Sequence, residues 1–415
     1  MIGQVVPAPG SSSELYAPNP HAIVVAIDPG HGGCLDFGVP DPSERGPAYS
    51  EKTMTLRIGL VLRRLLEAQG VTVVMTRSTD QALAGDDYPQ LGCNGPPWRD
   101  VNGDGKTGLD KTGNDRGRDE LSARIDLANL ARADVLVSIH INSLTQNGVI
   151  YKIAATQTFY DDETTWGIPR SSVLARDIQA GVVKELAAVA RYPRQDRHVQ
   201  AVSYYLIGRQ WTAKDTCADG GTQCRPHRGL QMPGALSEVG SINLRAEQDL
   251  LVTAAGQQAV ADGLYRGLVA YFNQRALAVR YDALLPGGDA GTAPTAVPGL
   301  GPPFWAAQLP GAVGGATLEL PMRLTNTGAQ PWPSGLRLTT GWQKSDAPYL
   351  SSAPPQLGPV AVEVPALAPG ASVVLRVPLE VPSGSGRQLV WIGLQDGARS
   401  FADQGSPALQ LAAGG

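Results

Sequence analysis

The sequence predicts an α/β layer domain followed by a separate all-β sandwich, and three observations carry that reading. From Ile23 to about Phe272, short apolar runs alternate with amphipathic segments, the pattern of a sheet covered by helices. From Leu284 to Pro303 the composition turns to Pro, Gly, Ala and Thr, as in a linker. Beyond it the apolar period drops to two, with Gly/Pro turns between the alternating runs. The expected division is a spacer or leader remnant over 1–22, a first domain over 23–277, a linker over 278–303 and a sandwich over 304–412. At 415 residues the chain is too long for one compact core, which agrees with two domains.

Each element follows in order. Ile23-Val24-Val25-Ala26-Ile27 reads as a buried strand ended by Asp28-Pro29-Gly30. Lys52 to Gln69 reads as a helix, with Arg57, Arg63, Arg64 and Glu67 on its polar side and a stop at Gly70. Val71 to Met75 is the next strand, Glu120 to Arg132 a helix, and Val135 to Ile139 a strand running into His140. Leu174, Ile178, Val182 and Leu186 recur every four residues and mark a helix face. Gly234 to Ser237 leads as a short strand into Glu238, and a last helix carries Val260, Leu264, Leu268 and Phe272 on one stripe. In the sandwich, Leu318, Leu320, Met322 and Leu324 alternate with Glu319 and Arg323. Val373, Leu375, Val377, Leu379 and Val381 alternate likewise, as do Val390, Ile392 and Leu394. No internal repeat is apparent.

Charged residues make up 17% and hydrophobic ones 42%, the balance of a soluble globular chain. A net charge of −4 gives no electrostatic case for nucleic acid or acidic membranes as partners. No apolar run approaches the roughly 18 residues of a membrane span. Met1 to Pro20 lacks the basic start and apolar block of a signal peptide; a removed signal would leave the same sequence. Four cysteines occur, and Cys217 and Cys224 bracket a short polar stretch that a disulfide could close. Cys34 and Cys93 would then be the second pair, and an oxidising compartment would follow. Free thiols are the alternative. A cysteine-rich zinc site is disfavoured, because no Cys-x2-Cys pair is present.

Only five histidines occur, so their placement is informative. His31 follows the first strand, His140 ends another, and Glu238 ends a third. In open α/β sheets, ligands bind at the carboxyl ends of strands, where residues distant in sequence converge. Glu51 lies at the start of the first helix, on the same rim. Two neutral imidazoles and one carboxylate form the ligand set of a catalytic zinc, with a fourth position open. Glu238 would be a second carboxylate that handles protons without coordinating, a constellation suited to amide hydrolysis. The competing readings are satisfied surface histidines, and a Glu51 that serves the helix dipole.

These residues sit in strings that resemble a family. Ile27-Asp28-Pro29-Gly30-His31-Gly32-Gly33 resembles the opening motif of the zinc-dependent N-acetylmuramoyl-L-alanine amidases. Ser50-Glu51-Lys52 and Ser138-Ile139-His140-Ile141-Asn142 resemble the second and third metal-ligand motifs, and Met232 to Gly240 resembles the segment bearing the catalytic glutamate. All four appear in the family's order over about 250 residues. The resemblance implies a twisted mixed sheet flanked by helices, Zn2+ on His31, Glu51 and His140, and Glu238 as catalytic residue. It further implies peptidoglycan as substrate, cut between the lactyl group of N-acetylmuramic acid and L-alanine, and an extracytoplasmic location. After Glu238 the family shows an aromatic residue and a later Asn; here Ser241 and Leu244 stand there, with Asn243 one position early. Gln81 to Asp119 and Tyr160 to Arg170 look like insertions. The rivals are a wall-binding protein that has lost turnover and a zinc peptidase acting on other peptides.

Two secondary signals remain. Asp100, Asn102, Asp104, Lys106 and Asp110 fall in a stretch that opens like a structural Ca2+ loop, though its twelfth position is Lys111 rather than an acid. Asp115, Asp119 or Glu120 would have to complete it; a solvated Asp/Gly turn is the alternative. Trp305, Trp332, Trp342 and Trp391 would form either a glycan platform or sandwich core, the latter being commoner. Leu324 to Gly328 with Pro331-Trp332 resembles immunoglobulin-like modules, a likeness that gives no ligand. His198 and His227 could contact substrate but read more readily as surface histidines, and His21 lies in the spacer.

Overall fold

The computed structural model describes residues 23–413, apart from 90–91, 102–113, 147, 162–167, 203, 209–228, 286–287, 290–306, 345–357, 385, 387 and 398. In the first domain the chain runs through β1 (Val24–Pro29), α1 (Glu51–Glu67), β2 (Thr72–Met75), β3 (Asp87–Tyr88), β4 (Cys93–Asn94), α2 (Asn114–Leu130) and β5 (Val135–Asn142). Then follow β6 (Thr145–Gln146), β7 (Val149–Ile150), β8 (Ala155–Tyr160), α3 (Ser171–Val189), β9 (Gln195–Ala201), β10 (Gly234–Ser241), α4 (Arg245–Leu251) and α5 (Ala254–Gln274). The main sheet has the order β2-β1-β5-β10-β8-β9. β1, β2, β5 and β10 are mutually parallel, and β8 lies antiparallel to β10, so the sheet is mixed.

Alternation along β1 explains why both sheet faces are covered. Ile23, Val25 and Ile27 join one core with Met54, Ile58 and Leu62 of α1, Leu174 and Ile178 of α3, and Val260 and Leu264 of α5. Val24 and Ala26 point the other way, onto Ile125 and Ala128 of α2. A strand buried on both faces must be apolar throughout, which is why Ile23 to Ile27 reads as an unbroken run. The helical stripes read from the sequence are these buried faces. α3 and α5 cross closely because both carry glycine at the contact: a Cβ on Gly181 would meet the Gly263 carbonyl oxygen at 2.1 Å.

The remaining strands are β11 (Val279–Leu285), β12 (Gly288–Asp289), β13 (Ala307–Gln308), β14 (Thr317–Asn326), β15 (Leu336–Lys344), β16 (Gly358–Val364), β17 (Ser372–Glu380), β18 (Gln388–Asp396), β19 (Arg399–Ser400) and β20 (Leu409–Ala413). They form sheets ordered β12-β11-β14-β17 and β13-β20-β18-β15-β16, sharing one core that holds Met322, Leu324 and Val377 from the first and Leu338, Ile392 and Leu411 from the second. Trp332 and Trp391 are core residues, Trp332 donating its indole N–H to the Ala278 carbonyl. Trp342 packs partly buried against the same core, and Trp305 lies outside the described residues.

The domain boundary differs from the sequence expectation. Residues 278–303 were expected to be linker, yet Val279–Leu285 is a strand paired antiparallel to β14, Val279 opposite Asn326. Its alternation of apolar Val279, Tyr281 and Ala283 with charged Arg280 and Asp282 is the period-two signal, overshadowed by the Pro/Gly-rich run beside it. The sandwich therefore starts almost directly after α5. Buried Arg275 at the junction binds Asp134 at 2.7 Å and donates to Thr327 at 2.9 Å.

Candidate metal centre

The site is built from strand ends. Past β1 the chain enters a tight turn in which His31 takes a φ of 62°. Arg124 of α2 fixes this turn by donating to the carbonyls of Pro29 and His31. Gly30 is required by its neighbour, since a Cβ there would lie 2.4 Å from the His140 ring. His140 projects from β5, next to β1, and Glu238 stands directly opposite it in the parallel register of β10.

Glu51 opens α1, where the helix dipole favours a negative charge. Its Oε1 lies 3.2 Å from His31 Nε2 and 3.2 Å from His140 Nδ1, and accepts from Ile141 N at 2.9 Å. Its Oε2 accepts from Val39 N at 2.9 Å. One ligand atom from each of His31, Glu51 and His140 fits within 4.8 Å of the others. This donor set, two imidazoles and one carboxylate, suits zinc.

The charges are mutually adjusted. Burial disfavours the Glu51 anion, but hydrogen bonds and attraction from His140 and His31 outweigh it and hold the carboxyl well below the usual range. Burial likewise disfavours protonated His31, yet its bonds to Asp36 and Glu51 raise its pKa to about 10. Glu238 behaves oppositely: burial first, and the Glu51 charge second, push its carboxyl well up. Its Oε2 is shut off from solvent and has no hydrogen-bond partner among the described residues. All four residues line one cleft of about 580 Å³, whose other walls include Leu121, Trp98, Tyr204 and Tyr205.

Beneath the ligands lies a buried polar layer that sequence reasoning missed. Asp28 accepts from Thr76 at 2.6 Å and Ser138 at 2.7 Å and pairs with Arg124 at 2.7 Å. Arg124 also pairs with Glu120 at 2.8 Å, and Arg77 donates to the carbonyls of Pro29, Gly30 and Lys52. An arginine in a helix reads as a solvent-facing residue, so nothing in the sequence marked Arg124.

The geometry coincides with a family match. The model of the N-acetylmuramoyl-L-alanine amidase family matches residues 25–270. The chain belongs to this family. Its activity is accordingly that of an N-acetylmuramoyl-L-alanine amidase on peptidoglycan. The germination-specific N-acetylmuramoyl-L-alanine amidase of Bacillus subtilis (strain 168) is 25% identical over 252 residues, 61% of this chain and 81% of that protein. An N-acetylmuramoyl-L-alanine amidase of Mycobacterium tuberculosis is 25% identical over 280 residues, 63% of this chain and 91% of its own length. A solved N-acetylmuramoyl-L-alanine amidase from Clostridium difficile 630 is 23% identical with a TM-score of 0.42, over 61% of this chain and 98% of that one.

Other expected site residues fare variously. Cys34 and Cys93 form a disulfide with a Cα–Cα distance of 5.8 Å, while Cys217 and Cys224 lie outside the described residues. So do Asn102, Asp104, Lys106 and Asp110 of the calcium-like stretch. Two residues that were to complete that loop are engaged elsewhere. Asp119 accepts from Trp98 Nε1 and Val101 N, and Glu120 from Leu83 N and Ala84 N. His198 is exposed on β9 beside Asp196, and His21 and His227 are outside the described residues. Asn243 donates to Ser143 at the cleft rim.

Proposed function

We propose that the chain hydrolyses the amide between the lactyl group of N-acetylmuramic acid and L-alanine, with zinc on His31, Glu51 and His140 and with Glu238 moving the proton. The observation that carries this reading is the convergence of three ligand atoms within 4.8 Å on a cleft that also holds a carboxylate oxygen without a partner among the described residues. When bound, zinc supplies a Lewis acid that polarises a carbonyl and acidifies water.

The chain's own groups do the rest. Glu238 Oε2 is free to accept a proton from the attacking water, because no donor among the described residues occupies it. Its environment favours the protonated form once it has accepted that proton. It can then deliver the proton to the departing alanine nitrogen as the C–N bond breaks. Asp28 and Arg124 keep the turn of His31 in place beneath the reaction. The Cys34–Cys93 crosslink supports an oxidising, extracytoplasmic setting. Among the described residues no helix is long and apolar enough to cross a membrane.

Mass analysis of peptidoglycan digested by the purified chain tests the reading. Stem peptides released with a free L-alanine amine, together with peptide-free glycan, are expected. Cuts within the peptide only would make the chain a peptidase.

A further inference from the structure

His31 and His140 face Glu51 through different nitrogens. His31 turns Nε2 to the Glu51 carboxylate, whereas His140 turns Nδ1. The second nitrogen of His31, Nδ1, lies 2.7 Å from Oδ1 of Asp36, five residues along the chain. An imidazole that binds a metal through Nε2 carries its proton on Nδ1, and a carboxylate accepting that proton fixes both tautomer and ring plane.

Asp36 is itself held from several sides. Its Oδ1 accepts from Gly38 N at 3.2 Å, and its carbonyl accepts from Gly32 N at 2.9 Å, so the turn closes on itself. Within that turn, Cys34 is bonded to Cys93 of the short β3–β4 hairpin, 59 residues away in sequence. Cys34 N donates to both carboxylate oxygens of Asp86 at 2.8 and 3.0 Å, and Gly33 N donates to Asp80 at 2.9 Å. The hairpin belongs to the stretch Gln81 to Asp119 that looked like an insertion. Its one covalent tie to the rest of the domain, beyond the backbone, reaches the loop between the first metal ligand and Asp36.

We propose that Asp36 is a positioning residue for the metal ligand His31, and that the Cys34–Cys93 crosslink holds the turn that aims it. The inserted hairpin is then a buttress of the metal centre. This inference rests on the zinc reading given above.

The test is the zinc dissociation constant, measured by competition with a chromophoric chelator, beside thermal melting of the metal-free protein. Outer carboxylates of this kind typically change metal affinity by about 10–100-fold, so Asp36→Ala is expected near the upper end. Asp36→Asn keeps an oxygen that accepts from Nδ1–H, and is expected to lose only about tenfold. The double variant Cys34→Ser/Cys93→Ser is expected to weaken zinc by about tenfold as well. Parent affinity in Asp36→Ala, with or without a lowered melting temperature, overturns the positioning role. If Asp36→Ala shows no cooperative melt, Asp36→Asn decides: parent affinity there overturns the proposal, and the weakened value supports it. Parent affinity in the cysteine double variant overturns the part assigned to the crosslink. A parent chain that takes up no zinc would instead remove the metal reading itself, which separates the two failures.

Discussion

Replacing Arg124 by Met should destabilise the first domain more than most single changes. The Arg124 side chain is 2% exposed and makes five hydrogen bonds to four acceptors: Asp28, Glu120 and the carbonyl oxygens of Pro29 and His31, with Glu120 bound through two nitrogens. Methionine fills much of the same volume but leaves the fully buried Asp28 carboxylate with only two hydroxyl donors, Thr76 and Ser138. Removing one partner of a buried ion pair costs about 3–5 kcal/mol, because the remaining charge is stranded. The pH dependence supplies a second signature. In the parent, burial opposes the Asp28 charge, but Arg124 and the two hydroxyls hold its pKa below the ordinary value. Its contribution to stability is therefore present above the unfolded pKa and lost as pH falls through the lower folded value. Without Arg124 burial prevails and the folded pKa rises, so the folded state binds the extra proton and the variant gains stability as pH falls. The gap between parent and variant should narrow from pH 7 towards about pH 4. Urea denaturation of the metal-free proteins at both pH values measures this. A loss under about 1 kcal/mol at pH 7, or a gap that widens in acid, would refute the argument, since surface-type substitutions cost that little.

Other outcomes follow from the same contacts. His140→Ala should strip most zinc, read by elemental analysis; a full equivalent retained would remove His140 from the ligand set. Metal-free protein should lose stability as pH rises from 6.5 to about 10, because His31 has a raised folded pKa and its contribution is complete only below the unfolded value. A flat thermal-melt profile across that range would contradict the His31–Asp36–Glu51 cluster. A chain ending at Arg275 should keep zinc but melt below the full chain, since it loses the Arg275–Thr327 bond and the Arg132–Asp282 pair at the domain junction. An unchanged melting temperature would mean the junction stabilises nothing.

How far these features could be read in the sequence depends on how local their causes are. His31, His140 and Glu238 were legible because each lies near the carboxyl end of a strand, and parallel strands bring those ends to one rim. The stripes Leu174–Leu186 and Val260–Phe272 were legible because burial imposes the helical period directly. Arg124, Arg77 and Arg275 were not, since their burial depends on carboxylates and carbonyls supplied by distant segments. The strand Val279–Leu285 was missed because its partner β14 lies some way along the chain and a Pro/Gly-rich run masks its alternation. The Cys34–Cys93 pair, bonded across 59 residues, was reachable only by elimination after the short Cys217–Cys224 spacing suggested a local loop, and that second pair lies outside the described residues.

Turnover of Glu238→Gln, measured as amine release from muropeptide together with zinc content, tests the central claim most directly. Glutamine keeps the size of the side chain opposite His140 but cannot take up the proton of water at neutral pH. Loss of a general base typically costs about 10²–10⁴-fold, so turnover should fall by that much while a full equivalent of zinc remains. Turnover equal to the parent, with zinc fully bound, would contradict the account.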